Sequence, residues 1–343
     1  MRSLVVCPNW VGDLVMAAPV IRALADAGRQ VVALVKPGLR PLAGLLGGIT
    51  TILDRLPDDR DTIEAIRAAG CEEAVILPNS FHSAWLPFRA GIPRRAGYRT
   101  QLRTPLLDPG LPLPRDHRHR PQIADYAELL TALGVPLPPD WIPRIELPAG
   151  LAERGRERLE RARLRPGEGP LVGLFPGAEA GPAKRWPWRR YAALARELRR
   201  ARPDVQPLIV AGPKELWMAV RVHEESGKLH PVIGPELDLA GLAGVLAHLD
   251  LLVTNDSGPM HLAAALGVPC VALFGPTDPR RTAPAGDGHR VLYLDRWCSP
   301  CFHRRCPFLH HNCLRGLTVE RVRDTALARL AEIRPPGGEG AGA

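Results

Sequence analysis

Three short stretches place chemically able side chains where a strand gives way to a helix. In PNWVGDLVMAAP, Gly12 stands in a turn and Asp13 at the start of a helix. An aspartate there either caps the helix N-terminus or, beside a bound hydroxyl, takes its proton as a general base. In FPGAEAGPAKRWPWRRYAALA, Gly177 and Gly181 bracket a loop, and Lys184 precedes a helix with Pro187 in its first turn. Either an ammonium and backbone N–H groups converge there on one phosphate, or Lys184 and Arg185 are a solvated pair. The third stretch is NDSGPMHLAAALGVPCVALFGPTDP. Its Asp256-Ser257-Gly258 turn opens a small-residue helix carrying His261 in its first turns. The free N–H groups and positive dipole end of such a helix form a place for an anion. His261 is either a packed or capping residue or a contact to that ligand. None of the three has the spacing of a Walker A loop, and the chain contains no GxGxxG.

The elements that must hold these turns read as alternating strands and helices. SLVVCP, QVVALV, TTILD and EEAVILP are strand-like, with MAAPVIRALADAG and DTIEAIRAAG as helices between them. The proline-rich PLPPDWIPRIELP, residues 136–148, is a linker. A second alternation follows, with PLVGLFPG, QPLIVAGP, HPVIG, LDLLVT and VPCVALFG as strands. LAERGRERLERARL, WRRYAALARELRRA, ELWMAVRVHEES and DLAGLAGVLAHLD are its helices, and LTVERVRDTALARLAEI is the last one. Such alternation predicts an α/β protein of two doubly wound parallel sheets, with ligands in a cleft between facing carboxyl edges. The predicted divisions are an N-terminal domain over 1–148, a second over 149–317, a C-terminal helix over 318–334 and a disordered tail over 335–343.

A length of 343 residues fits two domains, and 45% apolar with 24% charged residues is an ordinary globular balance. No apolar run approaches the ~20 residues that span a bilayer, and the N-terminus lacks a signal-peptide pattern, so the expected compartment is the cytoplasm. The formal charge of +9 is concentrated between Arg89 and Arg120. That segment holds Arg94, Arg95, Arg99, Arg103, Arg115 and Arg118 against Asp108 and Asp116 alone. It is either a solvated basic loop or a surface for phosphate groups. Zinc-finger, KH and RRM signatures are absent from the sequence, which argues against nucleic acid. Cys298 and Cys301 form a CxxC pair, with Cys306 and Cys313 following. These four are either reduced thiols in a loop or the ligands of a structural zinc.

PNWVGDLVMAAPVIRAL, PGAEAGPAKRWPWRRYAALA, NDSGPMHLAAALGVPCVALFGPTDP and CSPCFHRRCPFLHHNCL occur in this order over about residues 4 to 330. Together they resemble the successive signatures of the lipopolysaccharide heptosyltransferases. AEAGPAKRWP with the late cysteine and histidine segment is most similar to the branch that adds the second inner-core heptose. The resemblance implies a GT-B fold, with acceptor held mainly by the N-terminal domain, sugar nucleotide by the C-terminal one, and the last helix returning toward the N-terminal domain. It implies an inverting transfer from ADP-L-glycero-β-D-manno-heptose to heptosyl-Kdo2-lipid A, without cofactor or catalytic metal. Asp13 would be the base and Lys184 the group that neutralises the diphosphate. Gly177, Asp256, Ser257, Gly258 and His261 would hold the donor, and Glu215 its ribose. Gly12, Arg94, Arg95, Arg99 and Arg120 would face the acceptor. The setting would be the inner leaflet of a Gram-negative inner membrane, with the protein cytoplasmic and peripheral and without a nucleic-acid partner. Pro259 departs from the pattern and removes one amide from the helix start. Two other readings follow from the same residues. One is a related glycosyltransferase with a different acceptor or nucleotide sugar; the other is a basic, zinc-containing nucleic-acid binder.

Overall fold

Continuous apolar runs become strands buried on both faces, as parallel sheets require. In the computed structural model, which describes residues 1–137 and 139–334, the chain divides into two units at Glu146 and Leu147. The tail predicted over 335–343 lies outside the described residues.

The first unit contains β1 (Arg2–Val6), β2 (Gln30–Val35), β3 (Ile49–Asp54), β4 (Glu73–Ile76), β5 (Arg94–Tyr98) and β6 (Gly110–Leu111). They pair in the order β3-β2-β1-β4-β5-β6, with Val5 opposite Ala33 on one side and Val75 on the other. The core gathers Leu4, Val6, Val32, Leu34, Ile66, Ala74 and Ile76. The helix predicted over MAAPVIRALADAG is Ala18–Asp26, and the turn expected around Gly12 is a separate short helix, Val11–Met16, parted from it at Ala17. Pro19 has no N–H to continue the ladder from one to the other.

Much of the basic segment is built into this unit. Its first part is β5, whose Ala96, Gly97 and Tyr98 are buried. Arg103 is fully buried. Its guanidinium donates to the carbonyls of Tyr98 (2.8 Å), Pro78 and Ser80, to Ser83 Oγ (3.1 Å) and to Asn79 Oδ1 (3.1 Å). Burial lowers its pKa to about 10, so the cation persists at neutral pH and knots the β4 and β5 exits together.

The second unit contains β7 (Leu171–Phe175), β8 (Gln206–Val210), β9 (Val232–Ile233), β10 (Leu251–Asn255), β11 (Cys270–Phe274) and β12 (Arg290–Tyr293), ordered β12-β11-β10-β7-β8-β9. Counting each unit's own strands gives one order, 3-2-1-4-5-6, in both. The chain therefore reverses its direction of travel between β1 and β4, and between β7 and β10. In doubly wound sheets the crevice that binds ligands opens beyond the carboxyl ends of such a strand pair. The last helix, Val319–Ile333, is capped by Thr318 and buries Val322, Ala326 and Leu330 in the second core, against helix Trp188–Ala201 and strands β10 to β12.

Candidate functional site

In the second unit the β7/β10 reversal is tied by one side chain. Asn255, the last residue of β10, is fully buried. Its Nδ2 donates to the carbonyls of Pro176 (2.9 Å) and Gly177 (3.0 Å) in the β7 exit turn. Its Oδ1 accepts from Trp186 N–H (2.9 Å) and Tyr191 O–H (3.2 Å). An amide is required because donors and acceptors are both used. Trp186 is itself fixed, its ring edge-on to Tyr191 at 5.0 Å and its Nε1–H donating to Leu317 O.

On this frame three exit turns meet at one carboxylate. Asp256 follows β10 and is almost wholly buried. Its Oδ2 accepts from Lys184 Nζ at 2.6 Å, out of the β7 turn, and from Thr277 Oγ1 at 2.6 Å, out of the β11 turn. Two residues on begins helix Gly258–Ala265, whose N-cap Ser257 makes no side-chain capping bond. The Ser257 hydroxyl instead shares a hydrogen bond with Thr254 Oγ1 at 3.1 Å. The positive helix end and the Lys184 ammonium thus stand within one small volume. His261 is buried in the same helix. Burial pushes its pKa down to about 4; Asp256 opposes that shift and Lys184 adds to it, so the imidazole is neutral at physiological pH.

Glycine has a positional reason at two points. A Cβ on Gly177 would stand 2.4 Å from Glu215 Cγ, so the buried Glu215 lies across the bare turn. Burial, then the charge of Glu179, raises the Glu215 carboxyl above its ordinary value. Gly181 has φ +144, and a Cβ there would stand 2.5 Å from Arg304 O. That carbonyl accepts from Ala183 N–H at 3.1 Å, so the cysteine-bearing segment braces the turn that carries Lys184. The residues expected to hold a donor, Gly177, Lys184, Glu215, Asp256, Ser257, Gly258 and His261, therefore share one edge of one sheet. Asn255, Thr277 and Trp186 were missed as site residues. A buried asparagine closing an apolar strand was the available signal.

In the first unit Asp13 is the third residue of helix Val11–Met16, whose N-cap is Trp10 with no side-chain capping bond. Its half-buried carboxylate accepts at Oδ1 from Gln122 Nε2 (3.1 Å), which also donates to Tyr126 Oη (2.6 Å). Both residues come from helix Gln122–Thr131, which the sequence reading did not identify. Gly12 is buried beside Asp13. The arginines assigned to an acceptor have varied surroundings. Arg94 pairs with buried Glu73, and Arg95 donates to the carbonyls of Leu106 and Pro93. Arg120 pairs with Asp125 and Glu128, while Arg99 is exposed. A further, half-buried group lies beyond β3, where His82 Nε2 meets Asp59 at 2.8 Å and Nδ1 meets Arg55 at 2.9 Å.

Cys298, Cys301, Cys306 and Cys313 are free thiols, with Cys298 Sγ 4.0 Å from His310 Nε2. Among the described residues no three histidine, cysteine or acidic side chains gather closely enough to hold a metal ion. No helix among them is long and apolar enough to cross a membrane.

Residues 60–311 match glycosyltransferase family 9 (heptosyltransferase). The chain is 31% identical to lipopolysaccharide heptosyltransferase 2 of Escherichia coli K12, over 97% of this chain and 99% of that one. It is 30% identical to lipooligosaccharide heptosyltransferase 2 of Haemophilus influenzae, over 86% and 89% of the two chains. Among solved structures, that of E. coli ADP-heptose LPS heptosyltransferase II superposes with a TM-score of 0.82 at 29% identity, covering 97% of this chain and 99% of that one.

Proposed function

Because the chain belongs to glycosyltransferase family 9, the heptosyltransferases, we propose that it transfers L-glycero-D-manno-heptose from ADP-heptose to the first heptose of heptosyl-Kdo2-lipid A. It is a glycosyltransferase of α/β, GT-B architecture. Family membership displaces the nucleic-acid reading, and relatives named heptosyltransferase 2 favour the second inner-core heptose over another acceptor.

The observation that carries the donor assignment is the meeting of Lys184, Asp256 and Thr277 ahead of an uncapped helix start. A diphosphate seated there receives an ammonium, helix N–H groups and the positive end of a dipole, all acting where charge grows as the glycosidic C–O bond breaks. Asp256 holds the Lys184 ammonium before the ligand arrives. His261, kept neutral, offers hydrogen bonds without adding a charge, and Glu215 suits a ribose diol.

In this mechanism the Asp13 carboxylate removes the proton of the acceptor hydroxyl, and Gln122 fixes which oxygen lobe faces it. The freed oxygen attacks the anomeric carbon from the face opposite ADP and inverts it. ADP leaves as an already acidic phosphate, so no second carboxylate is needed to protonate it. The chain works as a peripheral protein at the cytoplasmic face of the inner membrane.

The test is transfer from ADP-heptose to Kdo2-lipid A with and without one heptose in place. Transfer to the heptosylated acceptor alone is expected. Transfer to neither, with ADP-heptose still bound, would overturn the acceptor. Asp13→Asn should keep donor affinity and lower turnover by a factor on the order of 100 to 10,000; near-normal turnover would return Asp13 to a helix-start carboxylate.

A further inference from the structure

The segment between β12 and helix Asn312–Arg315 exposes more apolar surface than its neighbours. Trp297 is 83% exposed, Leu309 79% and Phe308 51%. The rings are ordered among themselves, Trp297 against Phe308 at 5.0 Å and Phe308 stacked on His310 at 5.6 Å. The backbone beneath is pinned. Cys301 and Phe302 N–H donate to Pro276 O, Ser299 Oγ donates to Gly275 O, and Arg304 O accepts from Ala183. The run from Arg296 to Arg315 contains no aspartate or glutamate, while Arg296, Arg304, Arg305 and Arg315 are exposed. Arg296, Trp297, His310, Asn312 and Arg315 line a hollow of about 330 Å³.

We propose that this segment docks the protein on an anionic phospholipid surface, with Trp297, Phe308 and Leu309 entering the headgroup boundary and a lipid phosphate seated in the hollow between Arg296 and Arg315. The proposal rests on the membrane setting given above, not on the transfer reaction. Charge complementarity favours this occupant. Cations interleaved with large apolar side chains match an interface that is negative at its surface and apolar beneath, and tryptophan suits that boundary because one end is apolar and the other a donor. Stacked bases fit less well: the Phe308 ring face is already covered by His310, and Leu309 offers no ring. The surface is also coupled to the donor turn, since the carbonyl that Ala183 holds belongs to Arg304. Docking would steady the loop that carries Lys184.

The test is co-sedimentation of the full chain with vesicles of phosphatidylglycerol and phosphatidylethanolamine, against phosphatidylcholine alone, at low and high salt. The wild-type protein should bind the anionic vesicles, release them in high salt and ignore the neutral ones. The double variant Trp297→Ser, Phe308→Ser should lose more than tenfold in partitioning. Arg305→Gln should lose about fivefold, from the loss of one cation near the surface. Each variant should retain ADP-heptose binding and transfer to a soluble, delipidated acceptor, which confirms folding and separates this test from the reaction. No binding by the wild type would overturn the membrane setting itself. Unchanged binding by both variants would overturn this surface alone. A self-association broken by the double variant, or tight single-stranded oligonucleotide binding that requires Trp297, would assign the patch to another occupant.

Discussion

Replacing Asn255 with alanine removes the tie between the two central exit turns of the second unit. Four hydrogen bonds are lost from a side chain with no exposure, and the partners left behind are three backbone groups and the buried Tyr191 hydroxyl. Leaving a buried polar group unpaired costs about 1–3 kcal/mol. The Pro176 and Gly177 carbonyls each keep a second lone pair, so about 1 kcal/mol per lost bond is the appropriate end of that range. The expected loss is about 3–5 kcal/mol, a large part of the ~5–15 kcal/mol that holds a typical domain folded. Urea unfolding followed by circular dichroism and tryptophan fluorescence should place the loss in the second unit's transition and leave the first unit's midpoint unmoved. ADP-heptose KM should rise at temperatures where the variant is folded, because Gly177 and Lys184 ride on the loosened turn. Asn255→Asp keeps the acceptors but aims a carboxylate at two carbonyls, so it should be no better than alanine. A loss below about 1 kcal/mol, or full tolerance of aspartate, would refute the assignment of Asn255 as the tie.

Gln122→Leu removes a donor from a carboxylate, a bond worth about 1.5 kcal/mol or more; steady-state kinetics should show kcat about tenfold lower with donor KM unchanged, and a change confined to KM would count against the Asp13 assignment. His261 has a folded pKa of about 4, below the 6.5 of an unperturbed histidine. Between these values the unfolded chain binds a proton that the folded chain refuses, so this contribution is complete above pH 6.5 and is lost as pH falls toward 4. The window corresponds to about 3 kcal/mol. His230, lowered to about 4 mainly by burial, adds in the same direction. Urea midpoints at pH 7 and pH 5 should fall accordingly, and His261→Gln should flatten the slope; a parallel slope in that variant would remove His261 as its source.

The architecture was legible where strands were apolar throughout. SLVVCP, QVVALV, LDLLVT and VPCVALFG announced themselves because both faces of a parallel strand are buried. β5 did not, since RRAGY opens on two arginines and offers only three buried positions. Helix Gln122–Thr131 carried a readable period, with Ile123, Tyr126, Ala127 and Leu130 on one side, but it lies directly behind the basic run and was absorbed into it. The arginines misled for a physical reason. A cation whose three nitrogens are met by carbonyls and a hydroxyl needs no anion, so Arg103 looked like surface charge and is core. The exit turns that carry the expected donor residues were legible by type and position; the geometry among those residues was not. Nothing in NDSG distinguishes a turn asparagine from one that reaches across to a turn 79 residues upstream.

The contribution of the last helix to the second core sets a schedule for synthesis. β1 has both of its partners, β2 and β4, once residue 76 is made, and the first sheet closes at Leu111. That half can mature while its successor is still being translated. The second half cannot: its apolar face waits for Val322, Ala326 and Leu330. During that wait a bare hydrophobic face is open to chaperones and to neighbouring nascent chains. A stop or frameshift just before residue 319 should therefore yield a sound first half attached to an aggregation-prone second one.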